Sequence, residues 1–239
     1  LYNIPASCLP EVQSSDAFYG ETDLGGFLPK AVPIHADLGD SHGVMFSHGC
    51  VHKGDAMCGY GTGSCVLVNA GETPIFADCG VNTTVAWTAG GVTYYALEGV
   101  VNYSGAVVTW LKDNAGLVMS PAETGALAEQ ANPADKTYMV PAFTGIGAPH
   151  WKSEATAAYV GMTRLTGRAE LVRAALESVA YQIGDLVYPS LEAIGVPARE
   201  LRVAGGPSRN RYLMQFQSDI LGCPVVIPRN EELSGIGAG

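Results

Sequence analysis

Four of the five histidines in this 239-residue chain, together with three aspartates and a cysteine, fall in one short stretch, HADLGDSHGVMFSHGCVHKGD, residues 35 to 55. Two chemistries compete for it. Imidazole, thiolate and carboxylate are the ligands of a zinc site, whereas a single carboxylate at the mouth of a cleft serves as a general base. His35, His42, His48 and His52 are spaced 7, 6 and 4 residues apart. None of these pairs matches HExxH on one long helix, because Gly39, Gly43, Gly49 and Gly54 are expected to interrupt any helix here. In extended chain, His35 and Asp37 share one face, and His48, Cys50 and His52 share another. Residue types therefore allow zinc, but ligand spacing does not support it. Asp40 is the alternative: flanked by Gly39 and Ser41 after an apolar strand, it suits a carboxylate that takes the proton from a hydroxyl attacking a phosphoryl group. It equally suits an Asx turn with Ser41 or His42, and spacing leaves both readings open.

Three glycine turns offer backbone for anion or nucleotide binding. GYGTGS, residues 59–64, lies between strand candidates; Gly61 and Gly63 permit positive φ, and Thr62 and Ser64 add hydroxyls, so its tip can form a nest of N–H donors for phosphate or be a plain glycine hairpin. AGGPSRN follows the strand LRVA, Leu201 to Ala204. There Gly205 and Gly206 clear space for a flat ligand before a helix capped near Ser208, although the full GxGxxG pattern is missing. Gly105, in YSGAVVTW, opens a further helix.

The elements that must hold these residues are strands first and helices later. AVPIHADL, SCVLVNA, TTVAWT and GVTYYAL are β-branched or aromatic runs between glycines and predict a meander of antiparallel strands. Ser104 is placed to cap a helix through GAVVTWLKDNAG, and Ser120, Pro121 and Glu123 form a capping box before TGALAEQAN. Leu171, Ala174, Ala175, Val179, Ile183 and Leu186 recur at helical spacing over 168–188, with Pro189 expected to end or kink the helix. LRVA, RYLMQFQSDIL closed by Gly222, and PVVIP then make a βαβ unit. This order predicts an α/β domain with helices packed on a sheet.

Composition narrows the partners. A formal charge of −10 without a Lys/Arg cluster argues against nucleic acid and anionic membrane surfaces. The six cysteines are scattered without CxxC pairs, which fits free thiols in the cytoplasm. No run of about 18 apolar residues or signal peptide occurs, and the start at Leu1 and the end in ELSGIGAG read as an excerpt of a longer polypeptide.

Seven segments in order, from LPEV at Leu9 through Gly39-Asp40, YGTGS, ALEGVVNYSGAVVTWLKD, VPAFTGIGAPHW, GMTRLTGRAELVRAALESVAYQ and AGGPSRNRYLMQFQSDILGCPVV, resemble the FGGY carbohydrate kinases. The resemblance implies an actin-like ATPase fold related to RNase H, a mixed sheet with flanking helices. Residues 1–30 would be the tail of a first domain or an interdomain segment, and 31–239 the second, nucleotide-binding domain, truncated at its C-terminal end. It implies that Asp40 is the catalytic base, that Gly61, Thr62 and Gly63 hold nucleotide phosphates, that Gly105 and Thr109 contact nucleotide, and that Gly205, Gly206 and Asn210 surround the adenosine. ATP, with Mg²⁺ held through ATP and water rather than by a protein ligand from this part, and a sugar or polyol are the implied ligands.

The chain departs from the pattern at four positions. Thr109 stands where Gln is common and Ala204 where Asp is frequent. Ser41 and Cys65 line the implied substrate site where glycerol kinases carry Gln and Phe; both changes remove bulk, so a pentulose or longer polyol is expected in preference to glycerol. GGFLPKAVPI replaces the basic glycine loop through which some glycerol kinases are inhibited by a sugar bisphosphate, so that regulation is not expected. The family's N-terminal phosphate-gripping strand-turn and most of its sugar-binding residues are missing here. The missing N-terminal domain is thus an expected partner, and these residues alone are expected to bind nucleotide weakly and transfer no phosphate. A non-catalytic actin-like ATP-binding module, with Asp40 a mere turn residue, is the competing reading, and whether the chain forms a homo-oligomer is left open.

Overall fold

The computed structural model describes residues 3–229 and 233–238. In chain order the elements are β1 (Gly20–Thr22), β2 (Val32–Ile34), α1 (Asp40–Ser47), β3 (Ala56–Tyr60), β4 (Ser64–Gly71), β5 (Asn82–Ala89), β6 (Val92–Val101), α2 (Gly105–Asp113), α3 (Thr124–Gln130), β7 (Tyr138–Val140), β8 (Ala158–Val160), α4 (Arg168–Ile194), β9 (Leu201–Ala204), α5 (Arg211–Leu221), β10 (Val225–Val226) and α6 (Leu233–Ala238). Six strands form one mixed sheet in the order β10-β9-β3-β4-β6-β5. The pairs β10-β9 and β9-β3 are parallel, whereas β3-β4, β4-β6 and β6-β5 are antiparallel.

Apolar side chains on both faces of this sheet explain why β4 reads as a continuous hydrophobic run rather than an alternating one. Val66 and Val68 join Cys58, Tyr60, Leu97 and Val101 under α2, α4 and α5, in a core with Val107, Leu111, Val179, Ile183 and Leu186. Leu67, one residue over, points to the opposite face, where it meets Met57, Ala96, Trp87 and the α1 residue Met45. The result is helices on either side of a twisted sheet.

The βαβ unit of β9, α5 and β10 forms as expected, with β10 shortened to Val225–Val226. The antiparallel strands are not a simple meander. β6 inserts between β4 and β5, because β6 carries buried residues on both faces (Ala96 and Leu97), whereas β5 is half-covered along most of its length and takes the edge. AVPIHADL yields only three strand residues, paired with β1 in an exposed two-stranded ribbon.

Two helix limits also differ from expectation. Residues 40–47 are helical despite Gly43. α4 runs without a break for 27 residues through Pro189 to Ile194. Burial of Ser190, Leu191 and Ile194 and the Ser190 hydroxyl donated to the Leu186 carbonyl at 2.7 Å outweigh the N–H that Pro189 lacks. The helix stops instead at Gly195, whose φ of +81° is the left-handed cap conformation. Residues 3–30 contribute no buried side chain; their firmest anchor is at β5, where Ser15 N–H donates to Thr88 O at 2.9 Å. Among the described residues no helix is long and apolar enough to cross a membrane.

Candidate active site

Asp40 does not sit at a strand end. It is the first residue of α1, after an irregular approach through residues 35–39 with Gly39 at the N-cap. Its exposed carboxylate accepts the Ser41 N–H at 2.7 Å, and the Ser41 hydroxyl lies 3.5 Å from the same oxygen. A carboxylate in the first turn meets the positive end of the helix dipole, which favours a negative charge there. Across from α1, Cys65 projects from β4, and its thiol lies 3.5 Å from Glu98 Oε1 on β6. Burial first, and then the Glu98 carboxylate, push the Cys65 thiol up to about 12; the Asp40 charge adds to this, and a hydrogen bond with Ser41 opposes it. Asp40, Ser41 and Cys65 are therefore brought together, with Glu98 as a fourth member that sequence reading missed. Its signal was a lone acid inside the apolar strand VTYYALEGVV.

The β3–β4 hairpin forms the next wall. Neither Gly61 nor Gly63 has positive φ, so these glycines are not there for turn conformation. A Cβ at Gly63 would lie 2.5 Å from Val101 O, and one at Gly105 would lie 2.5 Å from Gly61 O. Close backbone approach is what excludes a side chain at both positions. The approach has a purpose: the N–H groups of Ser104, Gly105 and Ala106 donate to Thr62 O, Gly61 O and Thr62 O at 3.0, 2.9 and 3.0 Å. Hairpin carbonyls thus satisfy the start of α2, and Ser104, expected to cap it by its side chain, instead takes a hydrogen bond from the Ser64 hydroxyl at 2.7 Å. Gly61 and Thr62 remain exposed at the tip.

Beyond α2 opens a cleft of about 860 Å³, lined by Gly105 and Thr109 of α2, by Gly206 and Asn210, and by residues of α3 and α5. Its size lies within the range of small-molecule sites. Gly205, with φ of +95°, packs against the Tyr60 carbonyl, whereas a Cβ on Gly206 would meet nothing within 4 Å. Gly206 thus leaves room for a ligand, and Gly205 secures β9 to β3. The α5 cap is Asn210, not Ser208. Asn210 Oδ1 accepts Leu213 N–H at 3.2 Å and its amide donates to Thr124 Oγ1 at 3.0 Å, while Ser208 donates to Gly205 O at 2.6 Å within a short 3₁₀ turn over Gly206–Arg209. Thr109 spends its hydroxyl on Gly105 O at 3.4 Å. Gly61, Thr62, Gly63 and Gly205 lie outside the lining.

The cleft also takes in Ser120, Pro121, Gly125, Glu129 and Tyr212, none of them expected from the sequence to be a ligand contact. The capping box at Ser120 and Glu123 was the available signal for the first two. Tyr212 is held from behind by Glu177, which accepts its hydroxyl at 2.7 Å; burial, then Glu177, raise the phenol well above its ordinary value. The histidines of residues 35 to 55 do not converge. His52 is largely exposed beside Asp55. His48 is held below its usual value by burial and then by Arg202, and among the described residues no three His, Cys, Asp or Glu side chains gather as a metal site.

Residues 56–238 match the profile of the FGGY family of carbohydrate kinases, C-terminal domain. Glycerol kinase 1 of Thermotoga maritima is 42% identical over 237 residues, 99% of this chain and 48% of that protein, so the chain spans about half the length of the curated relatives it matches. The crystal structure of Plasmodium falciparum glycerol kinase with ADP superposes with a TM-score of 0.88 at 33% identity, over 97% of this chain and 46% of that one. Ligand-bound xylulose kinase from Lactobacillus acidophilus superposes at 0.82 with 18% identity, over 98% and 48% of the two chains, and shares the fold. With its mixed sheet, its flanking helices and the profile match over residues 56–238, the chain belongs to the FGGY family of carbohydrate kinases.

Proposed function

We propose that the polypeptide containing this chain transfers the γ-phosphoryl group of ATP to a hydroxyl of a sugar or polyol, and that residues 31–239 act as its nucleotide-binding half. One observation carries this reading. The Asp40 cluster and the 860 Å³ cleft flank a single hairpin, whose β4 strand presents Cys65 to Asp40 and whose tip carbonyls seat the helix that lines the cleft. A nucleotide in the cleft would direct its phosphates along Gly61 and Thr62 toward Asp40. Gly206 and Asn210 would frame the adenosine, with Gly105 and Thr109 on the α2 side. Asp40 would accept the proton of the attacking hydroxyl, which removes the charge that would otherwise build on that oxygen. Mg²⁺ would neutralise phosphate charge from a place on the ATP oxygens and water. The missing half would supply the remaining substrate contacts, and six free thiols suit a reducing cytoplasm.

For the acceptor, the 42% likeness to a glycerol kinase makes glycerol the first candidate. The expected preference for a pentulose over glycerol draws no support from the relatives, because the xylulose kinase likeness, at 18% identity, speaks only for fold. Ser41 and Cys65 support a more modest version, in which a roomier site accepts longer polyols and pentuloses beside glycerol. ADP release by the full-length protein on glycerol, xylulose and ribulose tests both levels. Turnover on glycerol is expected, and Ser41→Gln combined with Cys65→Phe should suppress the larger substrates while sparing glycerol. Absence of ATP-dependent turnover on all three would refute the reading.

A further inference from the structure

α1 carries Asp40 but is poorly secured by its own sequence. Gly39 provides no side-chain cap and Gly43 sits mid-helix, where glycine weakens a helix relative to alanine. Its buried residues are only Gly43 and Met45. Met45 faces the sheet, in the cluster with Met57 and Leu67. Gly43 faces the other way, onto α6. There the two helices touch backbone to backbone: a Cβ on Gly43 would lie 2.9 Å from Ser234 O, and a Cβ on Gly237 would fall far inside van der Waals contact with Gly43 O. Gly43 thus nests over the turn between Ser234 and Gly237, three residues from Asp40.

We infer that α6 is a positioning element for the catalytic base, and that Gly43 and Gly237 set the distance of α1 from the sheet and hence the location of the Asp40 carboxylate. The inference rests on Asp40 being the base. α1 is clamped between the sheet, through Met45, and α6, through the glycine crossing; a methyl group at the crossing must drive the helices apart, and Asp40 lies within one turn of the displaced point. Nothing in the crossing touches the nucleotide cleft, whose walls are α2, α3, α5 and the Gly206 turn. Displacement should therefore lower kcat and leave nucleotide binding alone. Gly235 supplies an internal control, since it lies exposed on the same helix and a Cβ there would meet nothing within 4 Å.

The test compares Gly237→Ala, Gly235→Ala and Asp40→Asn in the full-length protein, with steady-state kinetics, ATP titration and thermal unfolding for each. Gly237→Ala is expected to lose on the order of tenfold to a hundredfold in kcat, the scale of an ångström misplacement, with KM for ATP unchanged. Gly235→Ala should match wild type. Unimpaired kcat in Gly237→Ala, or an equal loss in Gly235→Ala, overturns the inference. Should Gly237→Ala not fold, Gly43→Ala is the milder version, expected to lose several-fold in kcat, and full activity there overturns it too. Loss of turnover in Asp40→Asn with none in Gly237→Ala removes only the role of α6, whereas intact turnover in Asp40→Asn removes the base assignment itself.

Discussion

Asn210 uses both ends of its amide, one to cap α5 and one to tie α5 to the first residue of α3. Both helices border the cleft, so the residue fixes the width of the proposed nucleotide site whether or not it touches the base. Asn210→Ala is expected to cost about 1–2 kcal/mol in urea unfolding, the usual loss of a cap, and to raise KM for ATP. Asn210→Asp keeps the cap acceptor and loses the bond to Thr124, so it should recover stability more fully than ATP affinity. At Cys65 the raised thiol, pushed up to about 12 chiefly by burial, should remain protonated at neutral pH. Iodoacetamide labelling at pH 8 read by mass spectrometry should modify the exposed Cys8 long before Cys65, because the thiolate is the reactive form; equal rates would contradict the half-buried placement of Cys65 against Glu98.

At the level of elements, the start of α4 couples helix, loop and pH. Glu170 accepts Asn132 N–H at 2.8 Å and Gly167 N–H at 2.9 Å, and these bonds, led by that of Asn132, hold its carboxyl below the usual glutamate value. With a depressed native pKa, protons bind the unfolded chain more readily. The stability contributed is therefore present above the ordinary glutamate pKa and is lost as pH falls through the native one. Melting temperature should decline on acidification from about pH 5 to pH 3, and Glu170→Gln should flatten that decline; an unchanged slope would assign it to other carboxylates. The α2 start depends on the hairpin in a different way. Gly105→Ala would press a methyl against Gly61 O and should destabilise by about 1–3 kcal/mol, as overpacking does, with weakened ATP binding because the tip and the cleft wall move together.

Across the whole molecule, what could be read from sequence was whatever depends on neighbours in the chain. The period of α4, the strand β4 and the βαβ unit at residues 201–226 all follow from local spacing, and so does the place of Asp40 next to Ser41. Non-local features were hidden. The insertion of β6 between β4 and β5 depends on which strand is buried on both faces, and α1 was masked because Gly43, a helix breaker in isolation, is required by α6 nearly 200 residues away in sequence. The α3 wall of the cleft likewise reaches the Gly206 turn only through the fold, by way of Thr124 and Asn210. The central claim is that two separate sites, an acceptor base at Asp40 and a nucleotide cleft beyond the hairpin, act on one phosphoryl group. Turnover and ATP affinity of Asp40→Asn in the full-length protein test this most directly. The account predicts a fall in kcat of about 10²–10⁴-fold with ATP affinity within about twofold of wild type; turnover that survives the substitution would contradict it.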